Sequence, residues 1–363
     1  MKATGPLPLS EEFIATINDD QHGGRVWSAT GERGPFCDFS ANIWPCCPDA
    51  DFLQSCIGAV DVYPDPDYRA LVAAAAHYYG VNEDQVVPAN GSTEALYLAM
   101  LTLKPRRVAI FEPTFSEYAR AARWANSKVE IQHILADVRS GFRPLLSVPE
   151  ADVAVLCNPN NPTGSCIPRS DLLAWIEACL ASGVIVILDE AFIEFVEGRE
   201  HSIASSLAQL PNLLVLRSMT KCFGIPGLRL GFALGSGEIL RELWDHRIPW
   251  SVNAIAQQVG AWFAKRGAAW QKEIAETVAR ERTFLSENLR QLGWEVAPSA
   301  ANFILCKLAA GSTNRPLLSR LLQRGFLLRD ASNFYGLDDS WVRCAVRQHS
   351  ENESLLKAIA ACM

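Results

Sequence analysis

Ser218-Met-Thr-Lys-Cys-Phe-Gly-Ile-Pro-Gly-Leu-Arg229 sets one lysine among small and apolar residues, with hydroxyls at Ser218 and Thr220 and an arginine eight positions on. A lysine with few charged neighbours loses its proton readily and can form a Schiff base with an aldehyde. Hydroxyls and a guanidinium close by suit a phosphate. Together they point to a covalently held, phosphorylated aldehyde cofactor, pyridoxal phosphate. An ordinary strand-to-loop junction with its lysine in water predicts the same short stretch. The surrounding chain decides between the two.

Working outward, four short apolar runs rich in branched residues read as strands buried on both faces: Arg107–Phe111, Val153–Cys157, Val184–Leu188 and Leu213–Leu216. Helical stretches such as Arg169–Ala181 lie between several of them, so the expectation is an α/β fold with a mainly parallel sheet and helices on both faces. In such sheets ligands bind beyond the carboxyl ends of the strands. There the chain places Glu112–Tyr118, whose Phe115 ring could stack on a flat heterocycle, then Asn158–Gly164, then Asp189-Glu-Ala-Phe192, and then Ser218–Lys221. A carboxylate directly after an apolar strand is costly unless a cation meets it. A pyridinium nitrogen would do so and stay protonated as an electron sink. Gly91-Ser-Thr-Glu94 ahead of an apolar helical run is a helix start and a possible phosphate site, although capping alone predicts the same residues.

The 363 residues suffice for two domains. The expected division is an N-terminal arm with part of a small domain over 1–60, a large cofactor-binding domain over 61–252, and a bridging helix with a smaller α+β domain over 253–363. A short helix is expected around 9–18, a long one over Asn253–Leu292, and late strands at Asn302–Cys306, Phe326–Leu328 and Trp341–Val346. With 49% hydrophobic and 20% charged residues the composition is that of a soluble globular protein. A net charge of −7 argues against nucleic acid or an acidic membrane as partner. No apolar run approaches a membrane span and no signal peptide is read. The 11 scattered cysteines fit reduced thiols in the cytoplasm. No strand is followed by Gly-x-Gly-x-x-Gly, which disfavours a nicotinamide enzyme.

These residues carry a resemblance. The chain resembles the fold-type I pyridoxal-phosphate enzymes, with their aspartate aminotransferase-like fold, and within them the branch holding histidinol-phosphate aminotransferase and threonine-phosphate decarboxylase. The likeness runs from His22-Gly-Gly to the arginines near 343–347. Asn161-Pro-Thr-Gly and Ser218–Arg229 mark the superfamily. Asp38-Phe-Ser-Ala-Asn-Ile43, Asp189-Glu-Ala-Phe-Ile193, Pro249-Trp-Ser-Val-Asn253 and Asn333-Phe-Tyr-Gly-Leu337 are closer to the decarboxylase.

The resemblance implies that Lys221 binds the cofactor and later delivers a proton. It implies that Asp189 meets the pyridine nitrogen, Asn161 the phenolic oxygen and Phe115 the ring face. Ser92, Thr93, Ser218, Thr220 and Arg229 would cradle the phosphate. Tyr63 would reach the cofactor of a partner subunit in a homodimer. His22, Asn42, Arg329, Arg343 and Arg347 would face the substrate, and Arg343 and Arg347, four apart, would share a strand face. For any one of these arginines a surface ion pair is an equally ordinary role. Many aminotransferases carry a tyrosine where this chain has Phe192.

The implied activity is decarboxylation of O-phospho-L-threonine to (R)-1-aminopropan-2-yl phosphate and carbon dioxide, supplying the linker of the cobalamin (cobamide) side chain. The alternatives are histidinol-phosphate aminotransferase, with 2-oxoglutarate as acceptor, and O-phospho-L-serine decarboxylation to ethanolamine phosphate, since one methyl group is worth only ~1–3 kcal/mol. A catalytically idle relative is disfavoured because Lys221 is intact.

Overall fold

The branched, apolar runs assemble into one eight-stranded sheet in the computed structural model, which describes residues 22–24, 26, 34, 36–47, 50–56, 61–198 and 201–363. Its strands are β1 (Val86–Ala89), β2 (Arg107–Glu112), β3 (Lys128–Asp137), β4 (Gly141–Pro144), β5 (Val153–Cys157), β6 (Ile185–Asp189), β7 (Leu213–Ser218) and β8 (Gly231–Gly235). The order across the sheet is β1-β8-β7-β6-β5-β2-β3-β4. Strands β7, β6, β5, β2 and β3 run parallel, while β8 and the edge strands β1 and β4 pair antiparallel. The β3–β4 hairpin is absent from the sequence reading. The short helix expected at 9–18 lies outside the described residues.

Alternation sorts the side chains of these strands onto two faces. Phe111, Leu156, Leu188 and Val215 face one core, with Leu71, Trp175 and Phe263 from covering helices. Ile110, Val155, Ile187 and Leu216 face another, with Leu96, Tyr118 and Leu243. Those helices include α1 (Arg69–Tyr79), α2 (Ser92–Leu103), α3 (Glu117–Trp124), α4 (Arg169–Ala181) and α5 (Gly237–His246). After β2 the chain steps one way across the sheet to β3; from β5 it proceeds the other way to β6 and β7. That reversal opens a crevice at the carboxyl ends of β2 and β5, where open α/β sheets bind ligands.

Helix α6 (Ala254–Gln291) is continuous, and Asn253 caps it by accepting from Ala256 N at 2.9 Å. Its Val259 and Phe263 join the core under the large sheet. Its Ile274, Val278 and Leu285 join a further core against a four-stranded antiparallel sheet. That sheet has the order β9 (Glu295–Val296), β10 (Phe303–Lys307), β12 (Trp341–Ala345), β11 (Arg329–Asp330). Helices α7 (Asn314–Gln323) and α8 (His349–Ala360) complete the C-terminal part, and Cys37–Asp38 pairs with Phe326–Leu327. Strand β12 ends at Ala345, so Arg343 and Arg347 do not share a strand face. Among the described residues no helix is long and apolar enough to cross a membrane. All eleven cysteines are free.

Behind the sheet ends lies a buried ionic cluster. Arg217 donates to Glu190 Oε2 at 2.8 Å and to Glu194 Oε1 at 2.5 Å, and Ser202 Oγ donates to Glu190 at 2.6 Å. It fastens β7 to the segment that follows Asp189. Removing one partner strands charge in a low-dielectric interior. Arg217→Ala should therefore lower the unfolding free energy by about 3–5 kcal/mol, read from urea unfolding; a loss within experimental scatter would show that the cluster carries no such stability.

Candidate active site

The crevice is walled by segments whose own hydrogen bonds lock them. In the loop after β5, Asn158 accepts from Ile167 N at 2.7 Å. Asn160 donates to Pro113 O at 2.9 Å and accepts from Thr114 Oγ1 at 2.7 Å, tying this loop to the one after β2. Those two asparagines are structural, and Asn161 is the one left to face the site. Its Oδ1 accepts from Arg343 Nη1.

At the end of β6, Asp189 is buried, with Oδ1 accepting from Ala191 N at 2.9 Å and Oδ2 from Tyr118 Oη at 2.7 Å. Burial raises its pKa against those two hydrogen bonds and the charge of Lys221. Tyr118 was missed from sequence as a functional residue. Its spacing from Phe115, one helical turn, is the only signal that could have found it. Phe115 packs edge-on against Tyr118, centroids 5.6 Å apart.

Lys221 follows β7 in the one-turn helix Met219–Cys222. Burial, then the positive charges of Arg229 and Arg343, pull its ammonium pKa down to about 8, with Asp189 acting the other way. Its Nζ lies 5.9 Å from the centroid of Phe192, so the residue that departs from the aminotransferase tyrosine does border the lysine. The Lys221 carbonyl accepts from Trp44 N at 3.0 Å, which brings the 38–44 segment to the site. In that segment Asn42 Oδ1 is buried without a partner among the described residues.

The expected anion cradle also comes together. Ser92 and Thr93 open α2, whose first N–H groups have no helical acceptor. Gly91 precedes them at φ 88°, and a Cβ there would lie 2.7 Å from Arg229 Nη2. A Cβ at Gly231 would lie 2.3 Å from Ser92 N, so only glycine lets β8 pass under this helix start. Ser218 Oγ and Thr220 Oγ1 are 2.8 Å apart. Clustered N–H groups, hydroxyls and a guanidinium near Lys221 fit the phosphate of the expected cofactor, and buried Asp189 fits its ring nitrogen.

Arg329 and Arg343 are cross-strand partners in β11 and β12, both buried. Arg343 donates to Ser40 O at 2.6 Å, and its Nε is buried without a partner among the described residues. Burial, and next the charge of Arg329, oppose its own charge. Arg329 donates to Asn333 Oδ1 at 2.8 Å. An anion would relieve this crowding of like charge. Arg347, by contrast, is held by Glu351 Oε1 at 2.7 Å and Asp38 O at 2.9 Å, so the structure commits it to the start of α8 rather than to the arginine pair. His22 stands over Phe115, ring centroids 5.7 Å apart. Tyr63 is not in the crevice; it is 83% exposed and packs on Trp250, centroids 5.1 Å apart.

The model of a known family, aminotransferase class I and II, matches residues 50–359. The threonine-phosphate decarboxylase of Salmonella typhimurium is 35% identical over 352 residues, covering 93% of this chain and 95% of that protein. The crystal structure of a histidinol-phosphate aminotransferase from Clostridium acetobutylicum superposes with TM-score 0.82 at 27% identity, over 89% of this chain and 98% of that one. That of L-threonine-O-3-phosphate decarboxylase from Porphyromonas gingivalis superposes with TM-score 0.80 at 27% identity and the same coverage.

The depressed lysine makes a prediction about pH. The free amine is the nucleophile, so the fraction able to capture an aldehyde rises as pH climbs through the folded pKa and falls about tenfold per unit below it. Capture of an aldehyde by the cofactor-free protein should have its midpoint near 8. Arg343→Met, by removing one like charge, should move that midpoint upward; a wild-type midpoint at the ordinary lysine value would refute the electrostatic account.

Proposed function

We propose, since the chain belongs to the aminotransferase class I and II family, that it is a pyridoxal-phosphate enzyme removing carbon dioxide from O-phospho-L-threonine, giving (R)-1-aminopropan-2-yl phosphate for the cobalamin side chain. The observation that carries this reading is the buried, registered pair Arg329–Arg343 beside Asn161 and Lys221, a setting for a substrate with two anionic groups. The 35% identity to a threonine-phosphate decarboxylase along 93% of the chain supports it, as does Phe192 beside the lysine.

Pyridoxal phosphate, when bound, supplies an aldehyde that condenses with an amine and a protonated ring that accepts the electron pair of the bond broken at Cα. Lys221 would hold it covalently. Asp189, kept in place by Tyr118 and Ala191 N, would hold the ring nitrogen's proton. Asn161 would meet the phenolic oxygen and Phe115 the ring face. Ser92, Thr93, Ser218, Thr220 and Arg229 would take the phosphate. Arg343 and Arg329, with Asn42 and His22, would fix the substrate's carboxylate and phosphate and so decide which bond at Cα is turned for cleavage. Lys221 is the nearest candidate to return a proton to Cα. Arg347 is left to structure.

Two further assignments belong to this reading. The cofactor domain spans 61–252, an N-terminal arm with part of the small domain spans 1–60, and the bridging helix with the rest of the small domain spans 253–363. Tyr63 and Trp250, with Val62 and Ile248 also exposed, form the surface a second copy covers in a cytoplasmic homodimer, in which Tyr63 reaches the partner's cofactor phosphate.

Histidinol-phosphate aminotransfer is the second reading, favoured by a backbone as close to that enzyme as to the decarboxylase. The purified protein, loaded with pyridoxal phosphate and given phosphothreonine, should release one carbon dioxide per aminopropanol phosphate with no need of 2-oxoglutarate. Phosphoserine should react more slowly by about ten- to a hundredfold. A keto acid formed only with 2-oxoglutarate, and no carbon dioxide, would overturn the assignment in favour of aminotransfer.

A further inference from the structure

Glu117 has no part in the chemistry above, yet it is buried and holds His22, which the proposed reading places at the substrate. It opens α3, two residues after Phe115. Its Oε2 accepts from Tyr97 Oη at 2.7 Å, and its Oε1 lies 3.0 Å from His22 Nε2. Arg120 stands 3.5 Å from the same oxygen, at the exposed edge. Tyr97 comes from α2 and is itself backed by Trp124, ring centroids 5.2 Å apart. Burial opposes the carboxylate's charge, but the hydrogen bonds from Tyr97 and His22 outweigh it and hold the acid below its ordinary pKa.

The His22 backbone is fixed as firmly. A Cβ at Gly23 would lie 2.1 Å from Ser40 O, and Gly24 N donates to Ser40 Oγ at 2.8 Å. That same Ser40 carbonyl accepts from Arg343. His22 therefore stands between the ring-stacking Phe115 and the segment that Arg343 grips.

An ionised carboxylate can only accept. The hydrogen on His22 must then sit on Nε2, which leaves Nδ1 as the nitrogen able to meet a ligand. We propose that Glu117, anchored by Tyr97, is a positioning residue that fixes the tautomer and the pose of His22: it holds the Nε2–H and so turns Nδ1 toward the substrate, where Nδ1 takes up a proton from solvent as an anionic group of the substrate binds and donates to that group. This rests on the reading of the crevice as a site for a phosphorylated amino acid.

Wild-type enzyme is first titrated with phosphothreonine, followed by the absorbance of the bound cofactor; indifference would overturn the substrate reading and this proposal with it. Given binding, Glu117→Gln should raise KM for phosphothreonine about tenfold while kcat changes far less, since one charge-assisted contact is lost. The double variant with His22→Gln should be no worse than His22→Gln alone. An unchanged KM, or fully additive losses, would overturn the proposal while leaving the activity intact. Aminopropanol phosphate, which lacks the carboxylate, and L-threonine, which lacks the phosphate, serve as inhibitors. Weakening of one alone identifies the anionic group His22 meets, and weakening of neither contradicts the proposal. Should Glu117→Gln fail to retain cofactor, Tyr97→Phe is read in the same way, with an expected KM rise of about threefold. Nitrogen NMR of 15N-histidine-labelled protein gives a reading independent of activity. His22 should be the Nε2–H tautomer in wild type and lose that preference in Glu117→Gln, whereas an Nδ1–H tautomer in wild type contradicts it.

Discussion

The site depends on a lysine amine held where charge is expensive. Lys221 is largely desolvated although part of its side chain stays accessible, faces Arg229 and Arg343 of its own sign, and has Asp189 as its counter-charge. The balance leaves the amine partly unprotonated near neutral pH, the state a nucleophile needs. Each of those neighbours is in turn fixed elsewhere. Asp189 is held by Tyr118, and Arg343 by Ser40 and Asn161. Arg229 donates to Pro226 O at 3.2 Å and lies against Gly91, whose φ of 88° suits glycine. The low pKa is thus a property of the fold rather than of one contact.

Sheet topology explains why these groups meet. The parallel strands β2, β5, β6 and β7 all deliver their carboxyl ends to one edge, and the winding reverses between β2 and β5. Asp189 closes β6, and Phe115, Asn161 and Lys221 lie just past the ends of the others. The small antiparallel sheet adds two buried cationic side chains from adjacent strands. In the proposed reading chemistry and cofactor binding belong to the large sheet, and substrate recognition to the small sheet with His22 and Asn42. Two enzymes of different activity can therefore share this backbone, as the neighbouring TM-scores of 0.82 and 0.80 illustrate.

The parts legible in the sequence were those under strong local constraint. Strands such as Val153–Cys157 are buried on both faces and read as unbroken apolar runs, and helix Arg169–Ala181 falls where its pattern puts it. Lys128–Asp137 escaped because only unbroken apolar runs were read as strands, whereas its first residues alternate polar with apolar side chains, the pattern of a strand with one face toward water. Arg347 was misplaced because spacing of four implies a shared strand face only while the strand lasts, and it stops at Ala345. Tyr118 and Glu117 were invisible as functional groups because their partners, Asp189 and His22, lie 71 and 95 residues away. Local pattern cannot encode such contacts; only the closed crevice reveals them.

If the desolvated, partly neutral Lys221 is the centre of the site, the most direct measurement is where pyridoxal phosphate attaches. Protein incubated with the cofactor, reduced with borohydride and digested should carry the added mass on one peptide, at Lys221, with the label absent in Lys221→Ala. Label spread over surface lysines, or retained after that substitution, would contradict the account.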